Sequence, residues 1–192
     1  MKNAFLVGEK VYLRPLDEAD VPVFMEWIND FEVTRYLVAG VYPMTRWEEE
    51  EWVRSARGAR DRVHLSIVLK DGDRLIGNTA LFSIDYVSRF AVFGILIGEK
   101  NEWGKGYGGE ATALVVNYAF SRLNLNRVEL TVLDFNDRAI NCYRRIGFHE
   151  ESRLKGKRWA NGAFHDEVVM ATSRPSSEIE DERPGQASKA VP

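Results

Sequence analysis

A mixed α/β fold with a central, mostly antiparallel sheet is what this sequence predicts, on three observations. Alternating apolar segments from His64 to Gly98 read as an antiparallel meander. A glycine-rich loop and a helical segment then lead to a β-branched run, Arg127 to Leu133, which implies one parallel pair with a right-handed crossover. Finally, Asn161-Gly162 marks a hairpin near the end of the chain.

The elements follow in order. Val11 to Arg14 forms a short strand stopped by Pro15, and Asp17 caps a helix with Val21, Phe24 and Ile28 on one face. Thr45 and Glu48 make a capping box for a second helix through Trp52 and Val53. His64 to Lys70 is a strand with Leu65, Ile67 and Leu69 on one side. Asp71-Gly72 turns it, and strands follow at Arg74 to Asp85 and Phe90 to Gly98. The helix after the loop carries Ala113, Val116 and Phe120 at helical spacing. Asn136 to Ile146 is a further helix ended by Gly147. Strands at Phe148 to Leu154 and Ala163 to Thr172 complete the set.

With 192 residues, 45% hydrophobic and 29% charged, the chain suits one globular domain. That domain is expected over residues 1–172. Residues 173–192 hold three prolines, no aromatic residue, and too little apolar surface to offset ordering entropy, so they read as a mobile tail. A net charge of −3 argues against a nucleic-acid binder, because phosphate neutralisation needs a basic surplus. The single cysteine, Cys142, excludes an internal disulfide and a cysteine-based zinc site. His64, His149 and His165 show no ligand spacing, so no metal is expected. No apolar run approaches the roughly 20 residues that span a bilayer, and the N-terminal segment lacks a secretory pattern, which makes the cytoplasm the expected location.

Trp103-Gly104-Lys105-Gly106-Tyr107-Gly108-Gly109 lies between a strand and a helix. Glycines there let backbone approach a ligand, and the free amides and dipole of a helix start favour an anion such as a pyrophosphate. Gly104, Gly106 and Gly109 also match G-x-G-x-x-G literally, with the acidic Glu129 twenty residues on. A dinucleotide-binding fold normally opens with that motif, whereas here a meander precedes it.

W-G-K-G-Y-G-G-E-A followed by F-N-D-R-A-I-N-C-Y-R-R-I-G-F resembles the GNAT N-acetyltransferase superfamily, in particular its ribosomal-protein N-terminal acetyltransferase-like subgroup. L-R-P-L-D-E-A-D near the start and W-I-N-D-F-E-V-T-R-Y-L match in kind, so the resemblance covers Val11 to Ala171. It implies a sheet split into a V between the strands at Phe90–Gly98 and Arg127–Leu133, with acetyl-CoA as co-substrate. By this resemblance Trp103, Gly104, Lys105, Gly106, Tyr107, Gly108 and Gly109 form the pyrophosphate loop, with Trp103 replacing the usual Gln or Arg. Ile95, Leu96 and Ile97 pair their backbone with the pantetheine arm. Asn136 contacts the cofactor while capping its helix. Tyr143, two helical turns on, stands near the coenzyme sulfur, where a phenol can protonate the leaving thiolate.

Of the aromatic residues, Trp159 beside the hairpin is the candidate to lie near an acceptor. Glu99, Glu102, Glu32 and Glu150 are positional candidates for a base, with an ordinary surface role the favoured reading of each. His165 and Asp166 read as structural. The implied reaction is direct attack of a primary amine, from a protein N-terminus or a small molecule, on the acetyl thioester. A homodimer is one assembly the resemblance allows. A dinucleotide-dependent oxidoreductase and a non-catalytic acyl-CoA-binding module stay open as rivals.

Overall fold

The computed structural model describes residues 1–37, 41–56 and 58–175. Its strands are β1 Leu6–Val7, β2 Val11–Pro15, β3 Val63–Leu69, β4 Leu75–Asp85, β5 Phe90–Ile97, β6 Arg127–Leu133, β7 His149–Ala160 and β8 Ala163–Ser173. They form one sheet in the order β1-β2-β3-β4-β5-β6-β8-β7. Every neighbouring pair is antiparallel except β5–β6. The helices are α1 Val21–Ile28, α2 Phe31–Thr34, α3 Arg46–Ser55, α4 Tyr107–Ser121 and α5 Asp137–Ile146.

Both sheet faces are covered. On one, Val115, Val116 and Ala119 of α4 and Ile140 of α5 pack on Phe93, Val128, Leu130, Val168 and Met170. On the other, Val21, Phe24 and Trp27 of α1 join Val33 of α2 and Val53 of α3, with Leu96 and Trp103 against them. Burying both faces removes the simple alternation a half-exposed strand would show, which is why Ser66 and Val68 of β3 are buried along with Leu65 and Ile67.

Several expectations change in detail. On α1 the third buried residue is Trp27 rather than Ile28. The reason is Gly98, where a Cβ would come within 1.9 Å of the Trp27 ring, so the bare backbone there makes room for the indole. On α4, Ala113 is exposed, and the buried stripe is Ala111, Thr112, Val115, Val116 and Ala119. β7 continues to Ala160, past the expected end at Leu154, because ladder bonds to β8 hold it while nearly all its side chains are exposed. Asn161 and Gly162 both take positive φ, 52° and 81°, as a two-residue hairpin turn requires. The sheet ladder reaches Ser173, paired with Arg127, one residue beyond the expected domain boundary. Residues 176–192 of the expected tail lie outside the described residues. β1 and α2 were not anticipated; each has four residues or fewer.

Candidate active site

β5 and β6 stay paired only at Phe90–Arg127, Ala91–Val128 and Val92–Glu129. Beyond these pairs β5 remains bonded to β4 and β6 to β8, so the two parallel strands part and open a cleft. A strand residue directs its N–H and C=O toward the same edge, and the edge alternates along the chain. Gly98 N–H donates to Ile76 O, and a Cβ on Gly77 would lie 2.2 Å from Leu96 O, so the even-numbered residues face β4. Leu96 is thereby set apart from the expected pantetheine contacts. Its backbone belongs to the β4 ladder and its side chain to the α1–α3 cluster. Ile95 and Ile97 direct their backbone into the cleft, and the Ile97 carbonyl accepts the Trp103 indole N–H at 2.7 Å.

Above the cleft lies the start of α4. Its N-cap, Gly106, has φ 91° and offers no side-chain cap. Glu110 N–H makes the first intrahelical bond, to Gly106 O. The amides of Tyr107, Gly108 and Gly109 precede it and have no partner among the described residues, which leaves a concentrated set of donors at the positive end of the helix dipole. Gly108 stands over Ile97, 3.5 Å from a built Cβ to its Cγ1. Gly109 has a packing role as well: a Cβ there would lie 3.1 Å from Cys142 Sγ, so its bareness lets α4 and α5 approach.

The loop's charged residues are already engaged. Glu102, only 6% exposed, is held by Arg74 and by Lys105 Nζ at 2.9 Å, and these hydrogen bonds keep its carboxyl below the usual glutamate range. Lys105 therefore turns its side chain toward Glu102. Trp103 carries the Arg138 guanidinium over its ring, 4.8 Å from the centroid, so the first turn of α5 brings a cation to the loop. Gly104 also takes positive φ, 77°.

α5 brings the other expected residues to this face. Asn136 Oδ1 accepts from Ala139 N–H at 3.3 Å, so the capping role is present, and its Nδ2 has no partner among the described residues. The Tyr143 ring packs edge-on to Phe93 at 6.3 Å and beside Phe148 at 5.8 Å. Burial pushes its phenol above the ordinary value, and its hydroxyl has no hydrogen-bond partner among the described residues. The Cys142 thiol is likewise pushed up by burial, which keeps it protonated and a poor nucleophile.

On the opposite sheet face, a pocket of about 210 Å³ opens between the chain after α2 and the β7–β8 hairpin. Tyr36, Leu37, Leu133, Trp159 and Glu167 are among its lining residues. Trp159 lies on the wall of this pocket, stacked edge-on with Phe164 at 4.9 Å. Sequence reasoning missed Glu167. A glutamate set among Val168, Val169 and Met170 in a strand was the available signal, and Lys157 and Arg158 on the partner strand were its complement.

The candidate bases are engaged elsewhere. Glu32 pairs with Lys100 at 3.0 Å, Glu150 with Arg153 at 3.0 Å, and Glu99 caps the 3-10 turn before the loop. His165 lies on the Phe135 ring at 4.4 Å with Nδ1 3.4 Å from Asp134, and Asp166 pairs with Lys155 at 2.7 Å. Glu129 is ion-paired with Arg127 at 3.2 Å in mid-strand, which takes it away from the ribose-binding role a dinucleotide fold would need. Among the described residues no helix is long and apolar enough to cross a membrane.

The acetyltransferase (GNAT) domain model matches residues 10–149. The chain belongs to this acetyltransferase family. Spermidine N(1)-acetyltransferase of Escherichia coli strain K12 is 30% identical over 179 residues, covering 93% of this chain and 94% of that protein. The solved spermidine N-acetyltransferase of Vibrio cholerae, in complex with CoA and spermine, superposes with a TM-score of 0.80 at 26% identity, over 86% of this chain and 96% of that one. A putative ribosomal N-acetyltransferase of Bacillus subtilis is 37% identical over 104 residues, 54% of this chain and 56% of that protein.

The GNAT acetyltransferases use acetyl-CoA, and the residues present suit it. Three open amides at a helix start are chemically matched to a pyrophosphate. The edge of β5 left open at Ile95 and at the Ile97 N–H is matched to an amide-bearing arm. The family assignment also removes the oxidoreductase reading of the glycine motif.

Proposed function

We propose that this acetyltransferase moves an acetyl group from acetyl-CoA to a primary amine by direct attack in a ternary complex. The observation that carries this reading is the set of open amides from Tyr107 to Gly109 standing over Ile97 at the mouth of the β5–β6 cleft. When bound, acetyl-CoA supplies an acetyl thioester open to attack by an amine. The α4 amides hold the pyrophosphate, with Trp103, Gly104, Lys105 and Gly106 shaping the loop around it. The backbone edge left open at Ile95 orients the arm. The Ile97 N–H is positioned to donate to the carbonyl oxygen as charge develops there. Asn136 Nδ2 donates to the cofactor. Tyr143, kept neutral by burial, gives its proton to the leaving sulfur. The acceptor enters from the opposite sheet face, through the pocket lined by Tyr36, Trp159 and Glu167.

Residues 1–172, extended through Ser173, are taken as the catalytic unit, with the remaining residues as a tail. The spermidine N-acetyltransferases support an amine acceptor. The ribosomal-protein subgroup draws on a match over half the chain, so a protein N-terminus and a small-molecule amine both belong to the reading. A cytoplasmic location and a homodimer are parts of it too, checked by fractionation and by sedimentation. The central experiment is calorimetric titration with acetyl-CoA and, in parallel, NADH, followed by thiol release with a panel of primary amines. Saturable binding of acetyl-CoA alone, with amine-dependent thiol release, is expected. Binding of acetyl-CoA without release by any amine would reduce the protein to an acyl-CoA-binding module, and binding of NADH alone would overturn the reading.

A further inference from the structure

The relatives named for spermidine act on a polycation, yet the pocket of this chain is built around cations. We propose that its preferred acceptor is a primary amine that also carries an anionic group, a carboxylate or its equivalent, held by Arg158 and Lys157. This rests on the acetyl-transfer reading above and adds the acceptor's charge class to it.

Among the described residues lining the pocket, only Lys157, Arg158 and Glu167 are charged. The Glu167 side chain is 4% exposed, and both of its oxygens are occupied. Oε1 accepts from Lys157 Nζ at 2.6 Å and Oε2 from Arg158 Nε. An ammonium seeking this carboxylate would have to displace a cation already in place. The donors left over point to the opposite ligand. Neither Nη group of Arg158 has a hydrogen-bond partner among the described residues, and Lys157 Nζ has only Glu167. Both side chains reach solvent, Arg158 at 34% exposure and Lys157 at 45%.

The rim adds to the excess. Arg35 lies over the Tyr36 ring, 4.6 Å from its centroid, and donates to the Tyr36 hydroxyl at 2.7 Å. The nearby carboxylate of Asp134 is turned toward His165. A planar guanidinium with both Nη groups open is the geometry that receives a carboxylate through two parallel hydrogen bonds. Glu167 then acts as a positioning residue, since its hydrogen bond to Nε fixes the guanidinium plane.

The test compares spermidine with 4-aminobutyrate, and a peptide with an acidic second residue with its lysine counterpart. Each acceptor is measured by thiol release and by calorimetry on the CoA-saturated protein. The anionic acceptor of each pair should be favoured about tenfold in kcat/KM and in affinity. Arg158→Gln should raise KM for it by about tenfold while leaving the acetyl-CoA KM unchanged. Arg158→Lys retains a cation beside Glu167 and should recover only part of the preference, and it serves where the Gln variant does not fold. A gain confined to 4-aminobutyrate would identify a small molecule, and one confined to the acidic peptide a polypeptide N-terminus. Preference for spermidine and for the lysine peptide, or wild-type KM in both Arg158 variants, would overturn the inference. Should acetyl-CoA fail to bind, the transfer reading falls on its own, and calorimetry on the ligand-free protein still decides the charge preference.

Discussion

Glu102 and Glu167 are both nearly buried carboxylates held between two cations, one at the glycine-rich loop before α4 and one in the pocket beside the β7–β8 hairpin. At Glu102 the hydrogen bonds to Arg74 and Lys105 keep the carboxyl below its usual range. At Glu167 burial works the other way, and hydrogen bonds from Lys157 and Arg158 outweigh it. The consequences differ more than the arrangements do. Around Glu102, Lys105 is drawn aside and the open donors are main-chain amides of α4. Around Glu167, the open donors are side-chain N–H groups. On the proposed reading, one half of the molecule would recognise its ligand with backbone, which most single substitutions leave in place. The other would recognise it with side chains, which they alter freely. On that reading cofactor choice is built into the fold, while acceptor choice is left to a few positions on one hairpin.

The sharpest way to break this comparison is to put a side chain where the backbone does the work. Gly108→Asp has room, with its Cβ in ordinary contact with Ile97, so the fold should survive. A carboxylate at the open amides should lower acetyl-CoA affinity by roughly 100-fold or more, read by calorimetry. Unchanged affinity would remove the α4 start as the anion site. Tyr143→Phe should lower kcat by about 100-fold with acetyl-CoA affinity retained. Because burial raises the phenol above its ordinary value of 10.0, the wild-type rate should show no loss from tyrosine ionisation as pH rises toward that value. An equally active Phe variant would take Tyr143 out of the acid role.

The two carboxylates can be set against each other directly. Glu167→Gln should cost roughly 1–2 kcal/mol at neutral pH in denaturant unfolding. Glu102→Gln should cost less, because Arg74 and Lys105 are about half exposed, at 49% and 51%. Both carboxyls are depressed in the folded state. Their contribution is present above the ordinary glutamate value of 4.5 and is lost as pH falls below it, so each variant should flatten the acid limb of the stability profile. A loss at Glu102 larger than at Glu167 would reverse the ranking.

Glu49 supplies the contrasting case and the smallest effect. It is 6% exposed on α3, and desolvation alone raises its carboxyl. Glu49→Gln should stabilise by up to about 1 kcal/mol at pH 7. The gain should fade below pH 4.5, where the native side chain is protonated in both states.

Local chemistry made much of this legible in the sequence. The Thr45–Glu48 capping box, the Asn136 cap, the Gly147 stop and the Asn161-Gly162 turn each depend on a few adjacent residues, and each stands in the structure. The glycine-rich start of α4 and the place of Tyr143 on α5 were legible as positions through their motifs. What was hidden depended on distant partners. Trp27 is buried because of Gly98, and Leu96 is turned from the cleft by strand parity. Arg138 reaches the loop only through Trp103, and Glu167 becomes a pocket wall only once β7 and β8 are in register. β7 itself carries almost no apolar signal, since the ladder rather than burial defines its length.

The parting of β5 from β6 has a mechanical side. Three residue pairs join five strands to three, so the sheet is two plates sharing a short hinge, with α4 and α5 as braces across one face. A ligand lying in the gap would act as mortar between them. Amide hydrogen exchange at Ile95 and Ile97 should slow when the gap is filled, while the pairs at Phe90 to Val92 exchange at the same rate with or without it.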